Sequence, residues 1–169
     1  AAAAKEKGIE SVVDFFGVRL ATSLAVKGTK ADLLLGNNVL AHVPDINDFV
    51  GGLKILLKEN GVITFEFPHL LQLINKNQFD TIYHEHFFYF SLLSAERVFA
   101  AHGLALFDVE ELSTHGGSLR IYAHHVDDTT HRMTERYSDL KRREQTAGFE
   151  QVETYALFAE RVKETKRKL

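Results

Sequence analysis

The residues of this sequence best suited to chemistry form one short cluster, in which three side chains able to exchange protons follow a tyrosine. They are Tyr83, His84, Glu85 and His86, and the four positions after them are all aromatic. A further histidine, His42, follows an apolar run that ends on polar residues. Histidine titrates near neutral pH and aromatic rings keep water away, so the pattern indicates proton transfer in a partly dry pocket.

The relative orientation of these side chains depends on the local secondary structure. If residues 80–87 form a helix, Tyr83 and His86 lie on one face, because three residues are close to one helical turn. Glu85 and His86 would then point about 100° apart. Under this hypothesis we do not expect a direct relay between the two, and Glu85 would act on the site from the side.

Two alternatives stay open from the residues alone. A metal site could form from side chains that zinc and non-haem metals prefer. The side chains concerned are His42, His84, Glu85 and His86. His84 and His86 would face one side on a strand but diverge on a helix, so the helical interpretation counts against a metal, and we predict none. Alternatively, the chain is a folded binding or interaction module without catalysis.

The size and charge of the chain limit what it can bind. Its 169 residues, 45% of them hydrophobic, suffice for one sizeable core. The net charge of −3 and the pI near 6.3 give no basic field for a polyanion, so a small-molecule partner is favoured over nucleic acid. Cysteine is absent, and no apolar run approaches the roughly 20 residues that cross a bilayer. We therefore expect a soluble, cytoplasmic protein without a membrane span.

Strand and helix patterns alternate through the first part of the chain. The strands are expected at 9–16, 31–36 and 62–67, and the helices at 18–27, 44–60 and 70–74. The helix that begins at Pro44 is expected to end on a left-handed cap at Asn60 and Gly61. This order predicts an α/β fold with a doubly wound, Rossmann-like parallel sheet.

The second part of the chain predicts an antiparallel pair followed by helices. The expected elements are a helix at 94–101, strands at 104–109 and 118–123, and a glycine-containing loop at 114–117 between the strands. From Thr130 onward charged residues dominate, and the spacing of apolar residues predicts two helices separated by Gly148. The α/β core is therefore expected to carry a helical C-terminal extension.

The rim of the predicted sheet holds a second group of candidate residues, because ligands bind beyond the carboxyl ends of strands in open α/β sheets. Asp14, Phe15 and Phe16 end the first strand, and Asn37 and Asn38 follow the second. An acidic side chain could accept a hydrogen bond from adenosine, an aromatic ring could pack on adenine, and the amides could bind other polar parts of a cofactor. The alternative is that the phenylalanines belong to the core and that Asp14 caps the next helix.

Three stretches of the sequence carry a resemblance to a known family. Residues 30–45, with Gly-Asn-Asn-Val-Leu-Ala-His, are similar to the segment after a strand in class I S-adenosyl-L-methionine-dependent methyltransferases. Residues 77–91, with Tyr-His-Glu-His, and 114–120, with His-Gly-Gly-Ser, resemble a narrower group, the nucleotide-sugar C-methyltransferases. That group methylates a ring carbon next to a ketone. The resemblance implies S-adenosylmethionine as the cofactor and a nucleotide-linked deoxysugar as the small-molecule partner.

The resemblance also implies roles for the residues of these motifs. A carbon becomes nucleophilic only when a proton leaves the position beside a carbonyl, so the reaction needs a base and a group that stabilises the enolate. His86 is implied as the base, with Tyr83 and His42 as hydrogen-bonding groups for the enolate oxygen or the sugar. Glu85 is implied as an orienting or polar contact. The residues implied in substrate binding are His115, Gly116 and Gly117.

Members of the family contain parts that this sequence does not hold. They carry an N-terminal zinc-binding domain with cysteine ligands, a glycine-rich first loop for the methionine part of the cofactor, and a C-terminal α/β domain. We therefore expect the chain to be a fragment that binds the cofactor poorly. Residues 1–128 are expected to form a partial S-adenosylmethionine-dependent methyltransferase domain, and residues 129–169 a helical connector to a C-terminal domain.

Overall fold

Four strands form one open sheet in the computed structural model, which describes residues 2–168. Strand β1 (Ala31–Asn37) pairs in parallel with β2 (Leu57–Pro68). Strands β3 (Leu104–Leu112) and β4 (Ser118–His125) form an antiparallel pair, and β4 also pairs antiparallel with β2. The order across the sheet is therefore β1-β2-β4-β3, so the predicted antiparallel pair closes an α/β sheet as expected.

Seven α-helices accompany the sheet within the described residues. They are α1 (Ala2–Glu6), α2 (Val18–Val26), α3 (Ile46–Leu56), α4 (Leu70–Asn75), α5 (Leu92–Ala101), α6 (Glu135–Thr146) and α7 (Val152–Lys168). Short 3₁₀ turns lie at Leu40–His42, Phe79–Thr81 and Thr114–Gly116. Across residues 2–168, none of the helices combines the length and the apolar character needed to cross a membrane.

The helix boundaries follow capping residues that can be read in the sequence. The side chain of Asp45 accepts hydrogen bonds from two backbone N–H groups in the first turn of α3, and Ser91 forms a capping box at the start of α5. Gly28 and Gly103, after α2 and α5, adopt the left-handed conformation with φ of 81° and 69°. The helices predicted at 18–27 and 94–101 are thus confirmed to within two residues.

One hydrophobic core joins the sheet to α3, α4, α5 and α6. Each fully buried apolar side chain in such a core contributes about 1.5–3 kcal/mol relative to exposure. Helix α6 adds Tyr137 and Leu140, and Phe149 packs beside them from the connection that follows it. Helix α7 has no buried residue among those described. The predicted division of the chain at residue 128 stays a prediction, but α6 packs in the same core as the sheet.

The strand predicted at 9–16 does not form, and this prediction was wrong. Most of its apolar side chains are exposed, and Phe15 is 94% exposed. The segment does not pair with β1, whose outer edge carries no neighbouring strand among the described residues. An apolar, β-branched sequence becomes a strand only where another strand offers hydrogen bonds, so composition alone was misleading here.

The helix predicted to run to Asn60 ends four residues earlier, at Leu56, and Asn60 and Gly61 lie within β2. Gly61 does not adopt the left-handed conformation of a cap. Glycine at this position lets β2 lie close to β1, because an added Cβ would lie 3.0 Å from the carbonyl oxygen of Ala31 on β1. The glycine therefore permits strand packing and does not stop the helix.

Removing the side chain of Leu140 should test whether α6 belongs to the core. Leu140 is 1% exposed, so Leu140→Ala should lower the free energy of unfolding by about 2–5 kcal/mol through lost burial and an unfilled cavity. Leu157→Ala on α7 is the matched control, because Leu157 is 68% exposed and should change the value by less than about 0.5 kcal/mol. Urea unfolding measures both. Equal effects of the two substitutions would contradict the packing of α6 on the sheet.

Candidate functional site

A cavity of about 390 Å³ opens at the end of the sheet where β1 and β2 finish and β4 begins. Its position agrees with the general rule that ligands bind beyond the carboxyl ends of parallel strands. The lining residues are Asn38, His42, Pro68, His69, Leu73, Gln78, Thr81, Tyr83, His86, Tyr89, His115 and Gly117. Four imidazoles and two phenols thus surround one space, a set suited to moving and stabilising protons.

Tyr83 and His86 face each other because the chain turns sharply between them. The backbone N–H of His86 donates to the carbonyl of Tyr83 at 3.2 Å, which closes a turn. The hydroxyl of Tyr83 lies 3.3 Å from Nε2 of His86, and the ring centroids are 4.5 Å apart. The hypothesis of a helix at 80–87 is therefore wrong beyond the 3₁₀ turn that ends at Thr81, although the contact it implied between the two side chains is present.

The aromatic run after the cluster explains why this segment is not helical. The backbone N–H groups of Phe87 and Phe88 both donate to the carbonyl of Ala41, at 2.8 and 3.4 Å. Phe90 forms an isolated bridge with His69, at the end of β2. These contacts hold the chain extended along the sheet end, so tertiary pairing overrides the local helical spacing.

His42 lies against His86 from the opposite side. The ring centroids of the two histidines are 4.6 Å apart. Nδ1 of His42 lies 3.0 Å from the backbone carbonyl oxygen of Glu85. Because a carbonyl can only accept, Nδ1 carries the hydrogen, and Nε2 of neutral His42 keeps its lone pair. The Glu85 carboxylate itself is exposed, so the backbone of this residue, and not its side chain, contacts His42.

Tyr89 holds the turn in place from the cavity wall. Its hydroxyl accepts a hydrogen bond from the backbone N–H of Tyr83 at 3.0 Å and donates to the Tyr83 carbonyl at 3.2 Å. Its ring also lies 5.5 Å from that of His86, centroid to centroid. Tyr89 thus fixes the backbone that carries both reactive side chains.

The environment of His86 favours its neutral form. Burial lowers the pKa of His86, the charge on a protonated His42 lowers this pKa further, and only Glu85 acts in the opposite direction. A lowered pKa means that the imidazole of His86 is mostly neutral at neutral pH, with a lone pair on one ring nitrogen. Such a group can accept a proton, which is the property required of a general base.

The loop between β3 and β4 approaches the cavity from the other side. His115, Gly116 and Gly117 all have positive φ, of 52°, 79° and 133°. Nε2 of His115 lies 3.4 Å from Nδ2 of Asn38, which itself has a φ of 54°. A Cβ on Gly117 would lie 2.7 Å from the side chain of Gln72. The glycines therefore let the loop pass close to α4 and reach the end of β1.

Two sets of polar contacts fix this loop. The carbonyl of Gly116 accepts hydrogen bonds from Nζ of Lys76 at 2.7 Å and from Nε2 of Gln78 at 3.2 Å. On the other side, the buried carboxylate of Glu66 accepts from Oγ1 of Thr114 at 3.0 Å and from the guanidinium of Arg120 at 2.9 Å. His115 and Gly117 are thus held at the cavity.

The residues predicted to bind the cofactor separate into two groups. Asn38 lines the cavity, and Asn37 is exposed at the end of β1 beside it. The other three, Asp14, Phe15 and Phe16, do not line this cavity. Phe16 instead borders an apolar recess of about 230 Å³ along the side of β1.

The alternative assignment for Asp14 and the phenylalanines is only partly right. Asp14 binds Arg19 at 2.7 Å, and this hydrogen bond lowers the pKa of the Asp14 carboxyl. It does not cap α2, whose first N–H, from Val18, donates to Asp48. Phe16 packs edge to face on Phe49 of the core, whereas Phe15 is exposed.

Within residues 2–168, no group of three or more histidine, cysteine, aspartate or glutamate side chains is arranged to hold a metal ion. His84, which the metal hypothesis requires, is exposed and does not line the cavity. The donor set of that hypothesis is therefore not assembled in the part of the chain described here.

The open α/β sheet with a cavity at its strand ends is the fold of Rossmann-like class I methyltransferases. A solved structure described as an S-adenosylmethionine-dependent methyltransferase from Anabaena variabilis superposes with a TM-score of 0.54 at 14% sequence identity. The match covers 73% of this chain and 62% of that protein. At this identity the comparison shows the shared fold.

Sequence comparison identifies the family. Residues 3–109 match the family described as methyltransferase domain, and residues 113–169 match the C-methyltransferase C-terminal domain. The chain belongs to the methyltransferase family. It is also 39% identical, over 123 residues, to the C-methyltransferase NovU of Streptomyces niveus. That alignment covers 73% of this chain, which spans 29% of the length of the relative.

The titration of His86 should reveal its environment. Because the pKa is lowered, the NMR titration midpoint of the His86 ring should lie below the value of about 6.5 found for unperturbed histidine. Glu85→Gln should lower the midpoint further, because it removes the negative charge that raises the pKa of His86. His42→Asn should raise the midpoint, because it removes the positive charge that lowers this pKa. His84→Asn is the control and should leave it almost unchanged. A wild-type midpoint at or above about 6.5 would contradict the described burial.

Proposed function

We propose that this chain is the catalytic part of an S-adenosylmethionine-dependent C-methyltransferase. Its substrate is a nucleotide-linked deoxysugar, from which it removes a proton beside a ketone before that carbon is methylated. The observation that carries the proposal is the pair formed by Tyr83 and His86, whose hydroxyl and Nε2 lie 3.3 Å apart at the wall of one cavity. A proton acceptor beside a hydrogen-bond donor matches a ketone, in which the acidic hydrogen and the oxygen are close neighbours.

His86 acts as the base in this proposal. Its lowered pKa favours the neutral ring, and in this proposal Nε2 is the unprotonated nitrogen that takes the proton from the carbon next to the ketone. The electron pair of the broken C–H bond passes into the enolate. The imidazolium that forms lies beside the partly exposed cavity and later releases its proton to solvent.

Tyr83 stabilises the enolate oxygen, because its phenol can donate a hydrogen bond while the unprotonated Nε2 of His86 is taking the proton from carbon. His42 has a different task. Its Nδ1 hydrogen is already used by the carbonyl of Glu85, so its Nε2 is an acceptor suited to a sugar hydroxyl. The two roles thus divide between these residues: Tyr83 stabilises the oxygen, and His42 binds the substrate.

The chain offers groups that suit S-adenosylmethionine at the end of β1. Asn37 and Asn38 present amides there, and Phe16 borders an apolar recess beside the same strand, where an adenine ring could pack. When bound, S-adenosylmethionine supplies an electrophilic methyl group, whose bond to sulfur breaks as the new carbon–carbon bond forms. Asp14 and Phe15 are proposed to contact the cofactor from the preceding segment.

The substrate side of the cavity is proposed to be the loop of β4. His115 and Gly117 line the same cavity as Tyr83 and His86, and Gly116 lies between them in the loop. The resemblance to nucleotide-sugar C-methyltransferases and the family match of residues 113–169 support this assignment. Glu85, exposed at the rim, tunes the charge around His86 from the side.

Replacing His86 by Asn tests the base directly. Exchange of the substrate α-hydrogen with deuterated solvent should fall by roughly 10²–10⁴-fold, while binding of S-adenosylhomocysteine measured by calorimetry stays nearly unchanged. His84→Asn is the matched control, because His84 is exposed and lies outside the cavity. With this variant the substrate α-hydrogen should exchange at the wild-type rate. Exchange at the normal rate in the His86→Asn protein would exclude His86 as the base.

Replacing Tyr83 by Phe tests the stabilisation of the enolate. Loss of one donor to a developing oxyanion typically lowers kcat by roughly 10²–10³-fold, and KM should change much less. Tyr155→Phe, in α7 and outside the cavity, is the control with the same chemical change. A rise in KM at constant kcat would instead assign Tyr83 to ground-state binding.

A further inference from the structure

Helix α7 is held in place differently along its length. None of its described residues is buried. In its first half, Phe158 is partly buried against the core, and the hydroxyl of Tyr155 donates a hydrogen bond to the carbonyl of Phe149 at 2.8 Å. The second half is placed instead by polar side chains, those of Arg161 and Thr165, which reach the end of α4.

Arg161 and Thr165 bind the segment in which α4 ends. The guanidinium of Arg161 donates to the carbonyl of Ile74 at 2.8 Å. Oγ1 of Thr165 accepts a hydrogen bond from Nδ2 of Asn77 at 3.0 Å, and it donates to the carbonyl of Arg161 at 3.1 Å. Helix α7 thus holds residues 74–78, which we call the α4 turn.

Asn77 has two tasks in the α4 turn. Its φ is 54°, and the N–H groups of Asn77 and Gln78 donate to the carbonyls of Ile74 and Leu73, at 3.3 and 2.9 Å, so Asn77 ends α4 as a left-handed cap. Glycine would adopt this conformation more easily. What asparagine adds is an amide for Thr165, and this is the one hydrogen bond of that amide among residues 2–168, where Oδ1 is buried without a partner.

The α4 turn reaches the cavity through residues 114–117, which we call the substrate loop. The neighbours of Asn77 on both sides, Lys76 and Gln78, donate from Nζ and Nε2 to the carbonyl of Gly116, at 2.7 and 3.2 Å. A Cβ on Gly116 would lie 2.3 Å from Nε2 of Gln78, so the two segments are in close contact. The position of the Gly116 carbonyl therefore depends on the α4 turn.

We propose that α7 positions the substrate loop, and that Arg161 and Thr165 are positioning residues that act through the α4 turn. The contacts form one series, in which α7 holds the turn and the turn holds the carbonyl of Gly116 beside the cavity. The loop and α7 both lie within residues 113–169, which match the C-methyltransferase C-terminal domain, so this part of the chain contacts the turn from two sides. The inference rests on the proposed function for the assignment of the loop to the substrate.

The alternative is that these hydrogen bonds serve only to hold α7. A reporter in the loop separates the two. The carbonyl of Gly116 and the N–H of Gly117 belong to the same planar peptide group, so they move together. This N–H donates to the carbonyl of Thr114 at 2.9 Å. Exchange of the Gly117 amide hydrogen with deuterated solvent therefore reports how firmly the peptide group is held.

The first test is amide hydrogen exchange, followed by NMR, in the variant Thr165→Val. Exchange at Gly117 should be roughly 2–10-fold faster than in the wild-type protein, the usual effect of losing one hydrogen bond. Thr165→Ser keeps the hydroxyl and should restore the wild-type rate. Thr146→Val, at an exposed position of α6, is the matched control and should leave the rate unchanged. Faster exchange confined to α7, with Gly117 at its normal rate, would overturn the proposal.

The second test uses Asn77→Gly, which keeps the left-handed cap but removes the amide. A residue that only caps α4 would tolerate this change, and exchange at Gly117 would stay the same or slow down. We expect exchange to be faster by about the same factor as in Thr165→Val. The double variant should exchange no faster than either single variant, because both remove the same hydrogen bond. Additive effects would contradict the proposed series of contacts.

The outcomes also separate this inference from the proposed function, with UDP-glucose and dTDP-glucose as probes. In the wild-type protein, either probe should slow the exchange at Gly117 when it binds. If calorimetry shows no binding, or if binding leaves Gly117 unaffected, the assignment of the loop to the substrate fails, and the response to Thr165→Val still decides whether α7 positions the loop. If the probes slow the exchange but Thr165→Val does not change it, only the role of α7 fails.

Discussion

The pairing of β2 with β4 is the constraint on which the cavity depends. In this ladder Pro68, the last residue of β2, lies opposite Ser118, the first residue of β4. The loop before Ser118 must therefore meet the residue after Pro68, and the hydrogen bond from His69 to the carbonyl of Gly117 is the direct consequence. A register shift of one residue would turn each side chain of β4 to the opposite face and carry the loop away from the strand ends.

Most of the elements could be predicted from the sequence because their signals act within a few residues. Asp45 and Ser91 mark helix starts by hydrogen bonds that their own side chains make. Where the decisive contact is distant, prediction failed. Segment 9–16 has the composition of a strand but no strand to pair with, and Gly61 resembles a cap although it serves the close approach of β1. Local sequence does not contain these partners.

The candidate site could be predicted in part for the same reason. Tyr83 and His86 are three residues apart, so either a helix or the observed turn brings them together. The place of His42 was implied only by family resemblance, because its contact with the cluster spans 43 residues. For His69, by contrast, the local sequence gives no signal of its contacts. Its partner Glu144 is 75 residues away on a helix that the sequence presents as a charged connector.

Two buried carboxylates hold the walls of this cavity where apolar packing could not orient them. Glu66 fixes the loop through Thr114 and Arg120, and Glu144 fixes His69 together with the start of α5. Taking a carboxylate out of water is costly, and replacing a whole buried ion pair by apolar residues often leaves a protein equally stable. The hydrogen bonds of these carboxylates orient the neighbouring segments, since each oxygen accepts from defined donors. The two buried carboxylates therefore serve mainly to hold the segments that border the cavity in fixed positions.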